Sequence, residues 1–293
     1  MIESFVGLYY AVVEYGGDYL HRDVLLPALP DLQKLMAPLQ PLRSLKTAPP
    51  LSVADEISYE LFALGVVNDH LRMPLKLAAG EYKEFFEALG FEHYEPAQFS
   101  PMTCEIVGVS NAAKPESGIE LFGNFWPGLR FGEMIFSRGA KIVSCHPSHG
   151  ITAGVADKSV MYFTNYRLNR PTSDLSDGWG SNSRWRTNFY RNYQVDGLDL
   201  YNVDGIVDLA SNPRKLRIED ELSLGDLSVD EEREALMHRC FVHTQKTDEY
   251  WPYSWRLAVK NTGATWPLEN KMVVEFDEAL RQVGVVKPGM PWE

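Results

Sequence analysis

The chain is predicted to be α+β: a central, mainly antiparallel sheet over about residues 103–210, flanked by helices from its amino-terminal and carboxyl-terminal parts. Three observations carry this. Apolar residues recur at helical spacing between 52 and 89, short β-branched and aromatic runs follow one another from 103 to 209, and a capping signal reopens helix at Ser228. Elements of one kind are grouped instead of alternating, which is α+β grammar and not that of a parallel βαβ sheet. No domain linker interrupts the sequence. The 293 residues therefore read as a single α+β domain, helical over 1–100, strand-rich over 101–215 and helical again over 216–293.

Residues 27–50 hold six prolines (Pro27, Pro30, Pro38, Pro41, Pro49, Pro50). Proline lacks a donor and disfavours helix at the preceding residue, so this stretch reads as an irregular connection or a short helix framed by loops. Ser52 and Asp55 resemble a capping box, and Ile57, Leu61 and Leu64 mark one face of a helix running from about 52 to 71. Tyr82, Phe85, Phe86 and Leu89 form the stripe of a second helix over 81–89, with Gly90 as its left-handed C′ residue.

Strands are expected at 104–109, 119–125, 131–136, 141–145 and 160–166, each bounded by Gly, Pro, Asn or Ser. Ser137-Arg138-Gly139-Ala140 reads as a hairpin turn, and the run as an antiparallel meander. A further strand pair is expected over 198–209, turning at Asp204-Gly205. Ser228 and Glu231 form a capping box opening a helix through about 241, and a last helix is expected at 275–283.

Composition narrows the class. An apolar fraction of 45% with 23% charged residues is that of a globular domain, and 35 aromatic residues (7 Trp, 14 Tyr, 14 Phe) argue against disorder. Three widely spaced cysteines do not make a disulfide framework. The amino terminus shows no basic region ahead of an apolar one, and no apolar run approaches the ~20 residues of a membrane-spanning helix. A cytoplasmic location is expected. Forty acidic against 28 basic side chains give a formal net charge of −12, which repels nucleic acid and anionic membranes and steers a basic protein inward.

Six of the ten His and Cys residues fall in two short windows, 145–149 and 238–243. Thiolate and imidazole are the preferred zinc donors, and His146, His149, Cys240 and His243 are the weak candidates for a site. On the expected helix Cys240 and His243 share a face while His238 points elsewhere. Against this, Cys240 follows the apolar stripe as a small core residue, and the chain has no Cys-x-x-Cys pair. No metal and no cofactor are expected. Cys145, with His146 and His149 beside it, is the catalytic candidate, although neighbours in a strand face opposite ways and no nucleophile elbow is present.

The most unusual stretch joins aromatics to arginines. Arg167, Arg170, Arg184, Arg186 and Arg191 occur without a lysine among them, which suggests planar, bidentate pairing. Trp179, Arg184, Trp185, Arg186 and Arg191 are thus candidates for holding a phosphate or carboxylate, or else are internal struts paired with the chain's own carboxylates. At the opposite pole, residues 219–234 carry eight acidic side chains against Arg233. Glu219, Asp220, Glu221, Asp230 and Glu231 are the candidate docking residues there, part of the run being simple helix capping.

No Walker loop, dinucleotide fingerprint, His-Glu-x-x-His, EF-hand loop or kinase set occurs in the sequence. Whether the chain is an enzyme therefore stays open. The first expectation is an acidic cytosolic protein that binds or inhibits a basic partner, in the manner of an immunity protein. The alternative is an enzyme for a small anionic substrate, with arginines near 179–191 and the His/Cys loop at 145–149.

Overall fold

A computed structural model describes residues 2–52, 55–72, 77–161, 170, 189–210, 227–246, 254–264 and 266–285. The amino-terminal layer is helical. In α1 (Phe5–Glu14) Ser4 caps the first turn, its hydroxyl accepting from the Gly7 amide at 3.0 Å. The proline-rich stretch is helical to Arg43 and irregular only over 44–50, which holds Pro49 and Pro50. A wide π turn at His21–Leu25 leads into α2 (Leu26–Met36), and a 3₁₀ segment (Ala37–Arg43) extends it. Pro27 sits in the first turn, where its missing donor costs nothing. Leu25, Ala28, Leu32, Met36, Leu39 and Leu42 recur three or four residues apart and are all buried, so apolar burial outweighs the remaining proline penalties.

Helix α3 (Glu56–Leu71) is buried on most of its circumference and packs against α1. It starts one turn later than Ser52 suggests, because Asp55 is its N-cap residue. Helix α4 (Ala79–Ala88) buries Tyr82, Phe85 and Phe86, and Gly90 follows it at φ +88°.

Eleven strands are described: β1 (Glu92–Tyr94), β2 (Cys104–Asn111), β3 (Glu120–Trp126), β4 (Gly128–Phe131), β5 (Met134–Ser137), β6 (Gly139–Cys145), β7 (Asn192–Val195), β8 (Leu198–Tyr201), β9 (Val207–Asp208), β10 (Trp255–Lys260) and β11 (Val273–Val274). The larger sheet runs β1-β4-β5-β7-β8-β10-β11, antiparallel at each step, with β9 parallel to the start of β10. The smaller one runs β2-β6-β3, where β2 and β6 are parallel. An α+β fold around a mainly antiparallel sheet is what the sequence predicts.

Details of the meander differ. The expected strand over 131–136 is two strands, folded back at Gly132, whose φ of +62° and close approach to the Arg43 carbonyl admit no side chain. Ser137-Arg138-Gly139-Ala140 is no hairpin: β5 belongs to the large sheet and β6 to the small one, so the chain crosses between layers there. The tight turn lies instead at Asp196-Gly197, both at positive φ, joining β7 to β8. Strands β8 and β9 do not pair with each other across Asp204-Gly205; both pair with β10. Of the strand expected at 160–166, residues 162–166 lie outside the described residues.

Helix α5 (Val229–His238) opens on the expected capping box, Glu231 N–H to Ser228 Oγ and Ser228 N–H to Glu231 Oε2. It stops three residues early, at His238, because Arg239 adopts a left-handed conformation (φ +60°). Helix α6 (Phe276–Gln282) closes the described chain, its Phe276 amide donating to Asp208 at 2.7 Å.

The large sheet is covered on both faces. Met134, Phe136 and Ala258 join the amino-terminal helices in one apolar cluster, whereas Ile135, Leu257 and Val259 join Leu236 and Met237 of α5 in another. Alternate residues of one strand thus serve different layers, as a period of two requires. A third cluster lies at the small sheet, around Ile106, Val143, Cys145 and Cys240.

Candidate functional site

The His/Cys windows do not assemble into a reactive centre. Cys145 is fully buried, its thiol donates to the Ile151 carbonyl at 3.9 Å, and burial pushes its pKa up, away from the thiolate a nucleophile needs. His146 lies beside Ser148, with Nδ1 2.9 Å from its hydroxyl. The ring nitrogens of His149 face the carbonyls of Ser117 (2.8 Å) and Trp266 (3.4 Å). Neither imidazole is the hydrogen-bond partner of Cys145.

Cys240 and His243 fall beyond the end of α5, so the helical face that would have aligned them is not formed. Cys240 donates to the His238 carbonyl at 3.5 Å, and His243 Nδ1 is 3.1 Å from Thr152 Oγ1. Among the described residues no three His, Cys, Asp or Glu side chains converge on a point where a metal could sit.

Trp179, Arg184, Trp185 and Arg186 lie outside the described residues, as do Glu219, Asp220 and Glu221. Arg191 is a strut. It is 2% exposed and forks onto Asp204, with Nε and Nη2 at 2.6 and 2.5 Å from the two carboxylate oxygens, while Nη2 also reaches the Pro49 carbonyl at 2.9 Å. Its donors are committed to the chain itself. In the acidic run, Glu231 is used by the capping box and by Lys246, and Glu232 is buried. The Glu234 carboxylate accepts from the amides of Val242, His243 and Thr244, at 2.5–3.1 Å. Asp230 remains open to solvent.

The structure gathers a different group of cations. Arg138 stands in the crossing between the sheets, where a turn reading leaves it exposed; it is 5% exposed. Its Nη1 donates to the Met237 carbonyl at 2.6 Å in the last turn of α5, and its Nη2 has no partner among the described residues. Arg170, 3% exposed, reaches the Ser159 carbonyl at 3.4 Å and leaves Nε and Nη2 unpartnered on the same terms. His238 ends α5 beside both. Burial first, then the charges of Arg138 and Arg170, hold its pKa down to about 3, so the ring is neutral at physiological pH. Arg239 follows, its pKa lowered to about 10 by burial and by Arg138, with Tyr190, Asp69 and Glu105 opposing.

Two buried guanidiniums acting on one imidazole, with a third acting on Arg138, are expensive to bury. Glu105 acts on Arg138 and Arg239, and Asp69 on Arg239, offsetting part of the cost. What remains is a buried, cation-rich cluster in which three guanidinium nitrogens, Arg138 Nη2 and Arg170 Nε and Nη2, have no partner among the described residues. Nothing in the spacing of Arg138, Arg170 and His238-Arg239 announces it. In the sequence His238-Arg239 falls inside a helix expected to run to about 241, with His238 on a face away from Cys240 and His243. Comparison of the chain with protein-family models, curated proteins and solved structures finds no match.

Proposed function

We propose that this protein binds a small oxyanion, a carboxylate or phosphate group, at Arg138 and Arg170, with His238 and Arg239 alongside. The observation that carries it is the pair of guanidiniums more than nine-tenths buried with Arg138 Nη2 and Arg170 Nε and Nη2 unpartnered among the described residues. A buried charged donor without an acceptor costs ~1–3 kcal/mol or more, and chains seldom carry two such groups together without a use for them. The ligand class is that of the enzyme alternative, but the groups are those at the end of α5 and not the arginines near 179–191 with the His/Cys loop at 145–149, of which 179–188 lie outside the described residues. Neutral His238 supplies one donor and one acceptor and no charge, a role in orientation.

A thermal-shift titration with inorganic phosphate and with acetate tests this. Ligand at 100 times Kd should stabilise the fold by ~2.7 kcal/mol, a rise of several degrees in Tm. Arg138→Met and Arg170→Met should abolish the response while each variant keeps a cooperative melt. A wild type indifferent to both anions, or variants that respond as it does, would sink the proposal.

A second reading is favoured by a separate observation. An open groove of about 430 Å³ is lined by Asp230, Glu275, Asn270 and Arg233 with Ala210, Val229 and Val273, on a chain of net charge −12. It suits a basic side chain of a partner protein, the docking or inhibitory role expected of the acidic run.

A further inference from the structure

We infer that the oxyanion is carried on an aromatic or other planar ring, which stacks at a rim formed by Phe99 and Trp266; this rests on the oxyanion reading above. His238 is the junction. Arg138 donates to the carbonyl of the neighbouring Met237, and the charges of Arg138 and Arg170 both act on the imidazole. The Phe99 ring lies nearly parallel to the imidazole, centroids 6.2 Å apart at 16°, and the Trp266 ring meets it edge-on at 6.0 Å and 69°. Phe99 and Trp266 also meet each other, at 5.7 Å and 81°. The three rings come from the segment before β2, the end of α5 and the segment before β11.

Exposure gives the rim its direction. Arg138, Arg170 and His238 are buried, whereas Phe99 and Trp266 each keep part of their surface in solvent. An aromatic side chain half-covered at the surface is ordinary by itself, and both rings also cover apolar clusters beneath them. Two of them meeting at an imidazole acted on by guanidiniums that keep donors without a partner among the described residues is the composition of a ligand site, apolar walls with a few polar groups. A bare oxyanion would use the arginines and leave the rim idle. One attached to a flat ring uses both, since ring faces stack on aromatic side chains and guanidinium forks take the charge.

Four probes separate the possibilities: inorganic phosphate, phenyl phosphate, acetate and benzoate, each titrated against wild type by thermal shift. The aryl member of at least one pair should act at tenfold or greater dilution relative to its bare ion. In Phe99→Leu and Trp266→Leu that ratio should fall toward parity, and Phe99→Tyr should keep it. Trp266→Phe should also lose part of the tryptophan quenching that phenyl phosphate produces, a readout independent of melting. Equal potency of aryl and bare ions in wild type overturns the ring and leaves the oxyanion site standing. A ratio unchanged in both leucine variants overturns the placement at this rim. No response to any of the four overturns both.

Discussion

His238 shows how far one residue's surroundings can move its chemistry. An imidazole in an unfolded chain titrates near ~6.5, whereas burial and two neighbouring guanidiniums hold this one at about 3. Between those values the unfolded chain binds the proton and the folded chain does not. The contribution is therefore complete above ~6.5 and is lost as pH falls toward 3, at up to ~1.4 kcal/mol per pH unit. His93, also lowered by burial, adds to the slope with the same sign, so the His238 share must be read by difference. Urea midpoints of wild type at pH 7.5, 6 and 5 should fall steadily, and the fall should be shallower in His238→Gln. Parallel lines for the two proteins would place His238 in solvent and break the cluster apart. That this residue matters was not legible, because the sequence assigns α5 three residues too many. Arg239 in a left-handed conformation, a backbone state that seldom admits a side chain, is what ends the helix and leaves the imidazole at its tip.

At the scale of elements, what the sequence foretold rests on local chemistry, and what it missed rests on contacts far along the chain. The capping box of α5 and the Tyr82/Phe85/Phe86 stripe of α4 with its Gly90 stop depend on near neighbours and appear where expected. By sequence Gly139 reads as a turn residue, but its φ is not positive; a Cβ there would lie 2.6 Å from Pro96 Cδ, a contact invisible in spacing. The prolines of α2 misled for the same reason, since the burial that overrides them comes from other helices. The hairpin signal is Asp196-Gly197, an Asp-Gly pair between two short strands. Two glycines should accordingly respond to alanine with opposite signs. Gly197 sits at φ +80° with Thr262 at an ordinary 3.6 Å, so Gly197→Ala should cost ~1–2 kcal/mol through backbone strain. Gly80 lies in α4 with nothing within 4 Å of a Cβ, and Gly80→Ala should gain ~0.4–1 kcal/mol by restricting the unfolded chain. Denaturant midpoints of the two variants check both, and shifts of the same sign would contradict the turn assignment.

Over the whole molecule, the grouping of like elements along the chain foretells the class, a mainly antiparallel sheet with flanking helices, and among the described residues no helix is long and apolar enough to cross a membrane. Net charge acts at this scale too, and the docking reading must be separated from it. Any chain at −12 attracts a polycation, so binding alone says nothing about the groove. Position does. Asp230 and Glu275 flank the groove and are exposed, while Glu3 and Glu14 are exposed at the amino-terminal end of the chain. Reversing either pair to lysine changes the charge by two units twice, from −12 to −8. Arg233 does not blunt the comparison: its guanidinium donates twice to the Leu209 carbonyl and once to Asn270, and its pair with exposed Asp230 contributes little. Stopped-flow association with an oligolysine probe at low salt should then slow severalfold more for Asp230→Lys/Glu275→Lys than for Glu3→Lys/Glu14→Lys, with a shallower dependence on ionic strength. Melting temperatures of the two variants should stay close to wild type. If both pairs slow the probe equally, the groove has no part in capture and the charge serves solubility alone.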